Sequence, residues 1–291
     1  MKALRRYGPV GFVVLLHVLA GLFVLSLPPP GHPTPLMMLA IAISFAQTGL
    51  VAVWVAVSRV RYYVRFPLAL AGIGWTWLAL MHLVDPSLQD PESAAWLILG
   101  VLQFLYVAGA LVLGRLLAAR LRRRSTGASP PAQFGLAALM IWTAMVAATL
   151  AAARILVTAL GWTTEVFQWQ YLGFMPIFAA YNAAYALAAF VSVRVRKHRV
   201  GVILSTAVLI GLAGATLPAT FYAIFQETGG ITATECLELA AFQAGLLYAT
   251  LIPLGWREGG KPQPQPDRNA DGQTQERIAP PPSGRDCGPI G

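Results

Sequence analysis

His17 is the one ionisable side chain that this sequence sets deep inside an apolar run. An imidazole at such a position could relay protons or bind a metal. His82, in the third apolar run, is the next candidate. Counted along helices that start on the same side, the two stand about 14 and 22 Å deep. A single haem held between them would need matched levels, so a neutral imidazole hydrogen-bonded to a neighbouring helix is the plainer reading of His17.

Four amides are also carried inside apolar runs: Gln47, Gln103, Asn182 and Gln243. Amides across helices are usually interhelical glue, worth about 0.6–2 kcal/mol. The sharper alternative is a polar substrate path, which requires all four to face one cavity. Tyr181 and Tyr185 flank Asn182 and make a local polar cluster, either a pocket lining or plain packing.

Other chemistry is absent from the sequence. There is no H-E-x-x-H, no G-x-S-x-G and no phosphate loop. The two cysteines, Cys236 and Cys287, form no CxxC and no zinc-spaced cluster. The expectation is therefore a non-enzyme with no catalytic residues, no metal site and no cofactor.

The elements that position these residues follow from composition. Of 291 residues, 57% are hydrophobic and 11% charged, and the mean hydropathy is +0.62. Soluble domains hold about 25% charged residues, so the class is all-α, a polytopic membrane bundle. A net charge of +9 would suggest nucleic acid in a soluble chain. Here the bases punctuate the apolar runs, and no nucleic-acid partner is expected. Eight runs reach membrane length, near 8–27, 36–57, 67–84, 95–116, 134–160, 171–193, 200–225 and 235–255. The first follows Lys2, Arg5 and Arg6, and it ends in three prolines. It reads as an uncleaved span rather than a signal peptide.

Charge tests the count. Arg59, Arg61 and Arg65, then Arg115 to Arg124, then Arg194 to Arg199, and finally the tail bases alternate with loops that hold acids or no charge. Twenty of the 21 Lys and Arg fall on one side, the exception being Arg154. The positive-inside rule then predicts eight spans with both termini in the cytoplasm, and it places Arg120 to Arg124 in a middle cytoplasmic loop. Residues 1–256 form the bundle. Residues 257–291, with seven prolines, form a cytoplasmic tail expected to be disordered.

Small residues recur every four positions at Ala144, Ala148 and Ala152, at Ala180, Ala184 and Ala188, at Gly211 and Ala215, and at Ala42 and Ala46. These are helix-packing faces, with a membrane-protein partner or homo-oligomer as the alternative use. Pro218 is expected to kink the seventh span, with Thr216 or Thr220 re-satisfying freed backbone. Gln47-Thr48-Gly49-Leu50 is echoed by Gln243-Ala244-Gly245-Leu246.

The segment QFGLAALMIWTAMVAATLAAAR (Gln133 to Arg154) and the closing LGWR (Leu254 to Arg257) carry a resemblance. The first resembles a segment recurrent in multi-pass membrane proteins of planctomycete-type bacteria. There a Phe after a basic, proline-containing loop leads into a Leu- or Ala-rich span ending near an Arg. That segment continues Ser-Leu/Ile-Arg-Thr-Leu-Leu, whereas Phe134 is followed by Gly-Leu-Ala-Ala-Leu. The resemblance implies a bacterial cytoplasmic (inner) membrane, and it brings no activity and no site residues. Functionally, the sequence places a structural or partner-binding membrane protein first, a small-molecule transporter or channel second, and an intramembrane enzyme or haem protein third.

Overall fold

A computed structural model describes residues 15–27, 34–58, 61–84, 91–126, 169–195, 197–225 and 232–256, with 151, 154, 158 and 159. Among them there are seven helices: α1 (Leu15–Ser26), α2 (Pro35–Val57), α3 (Tyr62–Val84), α4 (Pro91–Thr126), α5 (Trp169–Arg194), α6 (Arg199–Phe225) and α7 (Ala233–Trp256). No strand occurs among the described residues. All but α1 are long and apolar enough to cross a membrane, so the chain is a multi-pass membrane protein. The first expected span is described only as the 12-residue α1. The fifth expected span (134–160) lies outside the described residues apart from 151, 154, 158 and 159, as does the tail 257–291.

The helix ends follow from local chemistry. The Thr34 hydroxyl accepts from Met37 N at 3.3 Å and Pro35 takes the first position of α2, where its missing N–H costs nothing. At α7 the stretch Thr232-Ala233-Thr234-Glu235 forms a capping box. Thr232 Oγ1 accepts from Glu235 N at 3.2 Å, and Glu235 Oε2 accepts from Thr232 N at 2.8 Å. His198 turns the chain from α5 into α6 at φ 54, a left-handed conformation that a side chain strains.

Two apolar clusters stack along the bundle axis. One holds Ala40 to Phe45 of α2, Leu99 of α4, Met175 to Ala179 of α5 and Cys236 and Leu239 of α7. The other holds Ala46 to Val53, Phe104 and Val107, Ala183 to Val193 and Ala240 to Leu251 of the same four helices. Residue numbers rise together, so α2, α4, α5 and α7 run in the same direction. In α3 and α6 the order is reversed, with Trp77 to Leu83 and Leu217 in the first cluster and Ala69, Ile73 and Ile210 in the second.

The four same-direction helices close on one another: α2 packs on α4, α5 and α7, while α5 packs on α4 and α7. Helix α3 lies against α2 and α4, and α6 lies against α5 and α7. Burial agrees with this plan. In its most apolar window α2 is 72% buried, against 22% for α6. Near contact of backbones makes the seams. A Cβ on Gly49 would stand 2.9 Å from Ala186 Cβ, and one on Gly214 would stand 2.8 Å from Cys236 O.

Three expectations need correction. Helix α4 continues to Thr126, so Arg120 to Arg124 extend a helix rather than sit in a loop. Ala180 and Ala184 are exposed. The buried small face of α5 is instead Ala179, Ala183, Ala186 and Ala189. Thr216 Oγ1 donates to Ala213 O at 2.7 Å and Thr220 Oγ1 to Thr216 O at 3.1 Å. Neither takes Gly214 O, the carbonyl that Pro218 leaves without its helical donor. Of the other expected pairs, Ala42 and Ala46 are both buried, while Gly211 is buried and Ala215 half-buried.

Candidate functional site

Gln47, Gln103, Asn182 and Gln243 lie 12, 12, 13 and 10 residues past the first residues of α2, α4, α5 and α7. At 1.5 Å per residue that is about 15–20 Å from one end of the bundle. The four amides thus form a polar layer where the two apolar clusters meet. Exposures are 6%, 0%, 2% and 0% respectively.

The layer is not uniform. Gln47 Nε2 donates to His17 O at 3.0 Å, which ties α2 to the peripheral α1. Gln103 Nε2 donates to Phe45 O at 2.8 Å. The nitrogen lies close over Gly49, where a Cβ would stand 3.4 Å from it. Asn182 Nδ2 donates to Phe178 O of its own helix at 2.9 Å. What remains is a set of buried polar atoms without a protein partner: Gln103 Oε1, Asn182 Oδ1, the Tyr185 hydroxyl and both amide atoms of Gln243. Unpaired groups of this kind are rare in native interiors. The set is rich in acceptors and carries no charge. The acids nearest in sequence, Glu92, Glu235 and Glu238, all belong to the first two turns of α4 and α7.

Around this layer the polar side chains are satisfied. Tyr181 OH lies 2.9 Å from Thr220 Oγ1 and 3.3 Å from Thr216 Oγ1, joining α5 to α6. Ser192 Oγ lies 3.0 Å from Tyr248 OH, joining α5 to α7. Thr48 Oγ1 lies 3.4 Å from Thr76 Oγ1, joining α2 to α3. Of the expected Tyr181–Asn182–Tyr185 cluster, Tyr181 therefore leaves toward α6, while Tyr185 is buried with the amides. Tyr185 gave no separate sequence signal, because a tyrosine one turn from another reads equally as packing.

The two histidines do not meet. His17 is half-buried on α1 at the level of Gln47, whereas His82 is exposed in the last turn of α3. Among the described residues no group of three His, Cys, Asp or Glu is placed to hold a metal ion. Cys236 is buried near the start of α7, and Cys287 lies outside the described residues.

At the other end of the bundle the structure reveals a second polar construction. Arg65 Nη1 donates to Val55 O at 2.5 Å and to Ser58 O at 2.8 Å. Arg115 Nη1 donates to Ala56 O, and its Nη2 lies 3.5 Å from Val57 O. Sequence reasoning assigned these arginines to topology alone. That they converge on the end of α2 depends on tertiary packing and leaves no local signal. No protein-family model, curated protein or solved structure matches the chain.

Proposed function

We propose that this chain is a bacterial cytoplasmic-membrane bundle, with both termini inside, that binds a small uncharged polar solute between α2, α4, α5 and α7 and passes it across. The observation that carries this reading is Gln243. Its side chain has 0% exposure and neither amide atom has a protein partner. In a bilayer interior an unsatisfied polar group costs several kcal/mol, so a small hydrogen-bonding molecule is the natural complement. Mid-bundle placement suits a transported solute, which must be reached from either side. Among the described residues no carboxylate stands at that level, which argues for an uncharged one, since a buried charge needs a partner. Orientation rests on the alternation of Lys and Arg along the sequence. Catalysis has no part in this reading.

The test uses proteoliposomes under an osmotic step, with glycerol and urea as probes. Re-swelling faster than in protein-free vesicles is expected for at least one probe, and Gln243→Leu should remove the gain. The same substitution should raise stability in detergent by about 1–3 kcal/mol, because it deletes unpaired polar atoms. Background permeability for both probes, together with a stability loss in Gln243→Leu, would overturn the reading.

A second reading is a structural or partner-binding membrane protein. It is favoured by Gln47 and Gln103, each of which donates to a backbone carbonyl of a neighbouring helix. The exposed Ala180 and Ala184 would then offer a small-residue face to a membrane partner or a second copy.

A further inference from the structure

We propose that the basic end of α2 is a binding site for the phosphate of an anionic phospholipid, held by Arg65 of α3 and Arg115 of α4. The two guanidiniums, 50 positions apart in the chain, are brought together by the last carbonyls of one helix. A helix C-terminus carries about half a negative charge, so two guanidiniums leave an excess of positive charge. The segments that carry it hold no acid of their own: the chain has no Asp or Glu before Asp85 and none between Glu92 and Glu165. Arg61, one turn before Arg65, adds a third cation. Its Nη1 donates to Tyr63 OH at 2.8 Å.

The arginines also keep donors in reserve. A guanidinium has five N–H groups in a fixed fork. The Arg65 contacts use only Nη1, and its Nε has no protein partner. Pinning by carbonyls orders the forks in advance and lowers the entropy cost of gripping a phosphate. Such basic pockets between helices at a membrane surface recognise anionic head groups.

The surroundings favour a lipid over a free anion. Trp54 and Tyr63 are 37% and 57% exposed beside the arginines, and amphipathic rings settle at head-group level. Leu68 of α3 and Leu113 and Leu117 of α4 are 56%, 57% and 49% exposed. They provide an apolar track along which an acyl chain would lie once its phosphate is held.

Native mass spectrometry of the full chain, released from detergent with equal amounts of phosphatidylglycerol and phosphatidylcholine, tests the proposal. About tenfold preferential retention of phosphatidylglycerol is expected, as one or two surface arginines would give. Arg115→Gln should reduce the preference at least several-fold, whereas Lys197→Gln, in the α5–α6 turn, should leave it unchanged. Arg115→Gln also takes donors from the end of α2. The unsubstituted chain therefore supplies an independent arm: inorganic phosphate at equal concentration should not displace the bound lipid. Equal retention of the two lipids, a preference unchanged in Arg115→Gln, or displacement by inorganic phosphate would each overturn the lipid site, the last by assigning it to a free anion. None of these outcomes bears on Gln243.

Discussion

At position 17 the imidazole drew attention in the sequence, yet the bond that holds α1 to α2 is made by the backbone carbonyl, which accepts from Gln47 Nε2. Any residue supplies that carbonyl. His17→Leu should therefore change thermal stability by less than about 0.5 kcal/mol, while Gln47→Leu should cost about 0.6–2 kcal/mol, the range for an interhelical amide. Equal losses in parallel melts would mean that the imidazole has a role of its own. Gly49 is the sharper steric case. Gly49→Ala puts a methyl 2.9 Å from Ala186 Cβ and should cost about 1–3 kcal/mol by overpacking. Ala186→Gly in the same chain should return most of that loss, and additive losses in the pair would show that the two helices do not meet there. The amides were legible as buried polar residues because apolar runs surround them. Their partners were not, since a hydrogen bond to a distant backbone carbonyl leaves no trace in local pattern.

Helices were legible by length and by hydropathy, whereas their ends depend on cap chemistry that the apolar pattern did not register. Thr232 with Glu235 is an example, and Thr232→Ala should lower stability by about 0.5–2 kcal/mol. A melt unchanged by that substitution would show that the box contributes nothing to the start of α7. Which face of each helix turns inward was much less legible. Between Ala179 and Ala189 small residues occupy both sides of α5, so a spacing of four selects Ala180 and Ala184 as readily as the buried Ala179 and Ala183. Lipid is itself apolar and gives the pattern no contrast between core and surface. Pro67, Pro176, Pro218 and Pro253 stand inside helices that an aqueous rule would have ended. The same limitation hid the end of α2. Arginines placed by the positive-inside rule gave no hint that two of them would meet on its carbonyls.

For the molecule as a whole, the expected orientation has a direct test. Reporter fusions after Arg65, Arg124, Arg199 and Arg257 should all read cytoplasmic, and one read on the far side would remove the eight-span topology at that point. The structure adds a constraint that concerns synthesis. Helices α2 and α7 pack together in the core, yet their first residues are 198 positions apart. At roughly 5–20 residues per second a ribosome needs about 10–40 s to cover that distance. Through this interval α2 stands in the bilayer without one of the three same-direction helices it packs on, and the polar layer is incomplete. The half-made chain is then a client for insertases and a target for membrane proteases. Losing α7, which a late stop codon would do, should be far more damaging than losing the 35 residues that follow it.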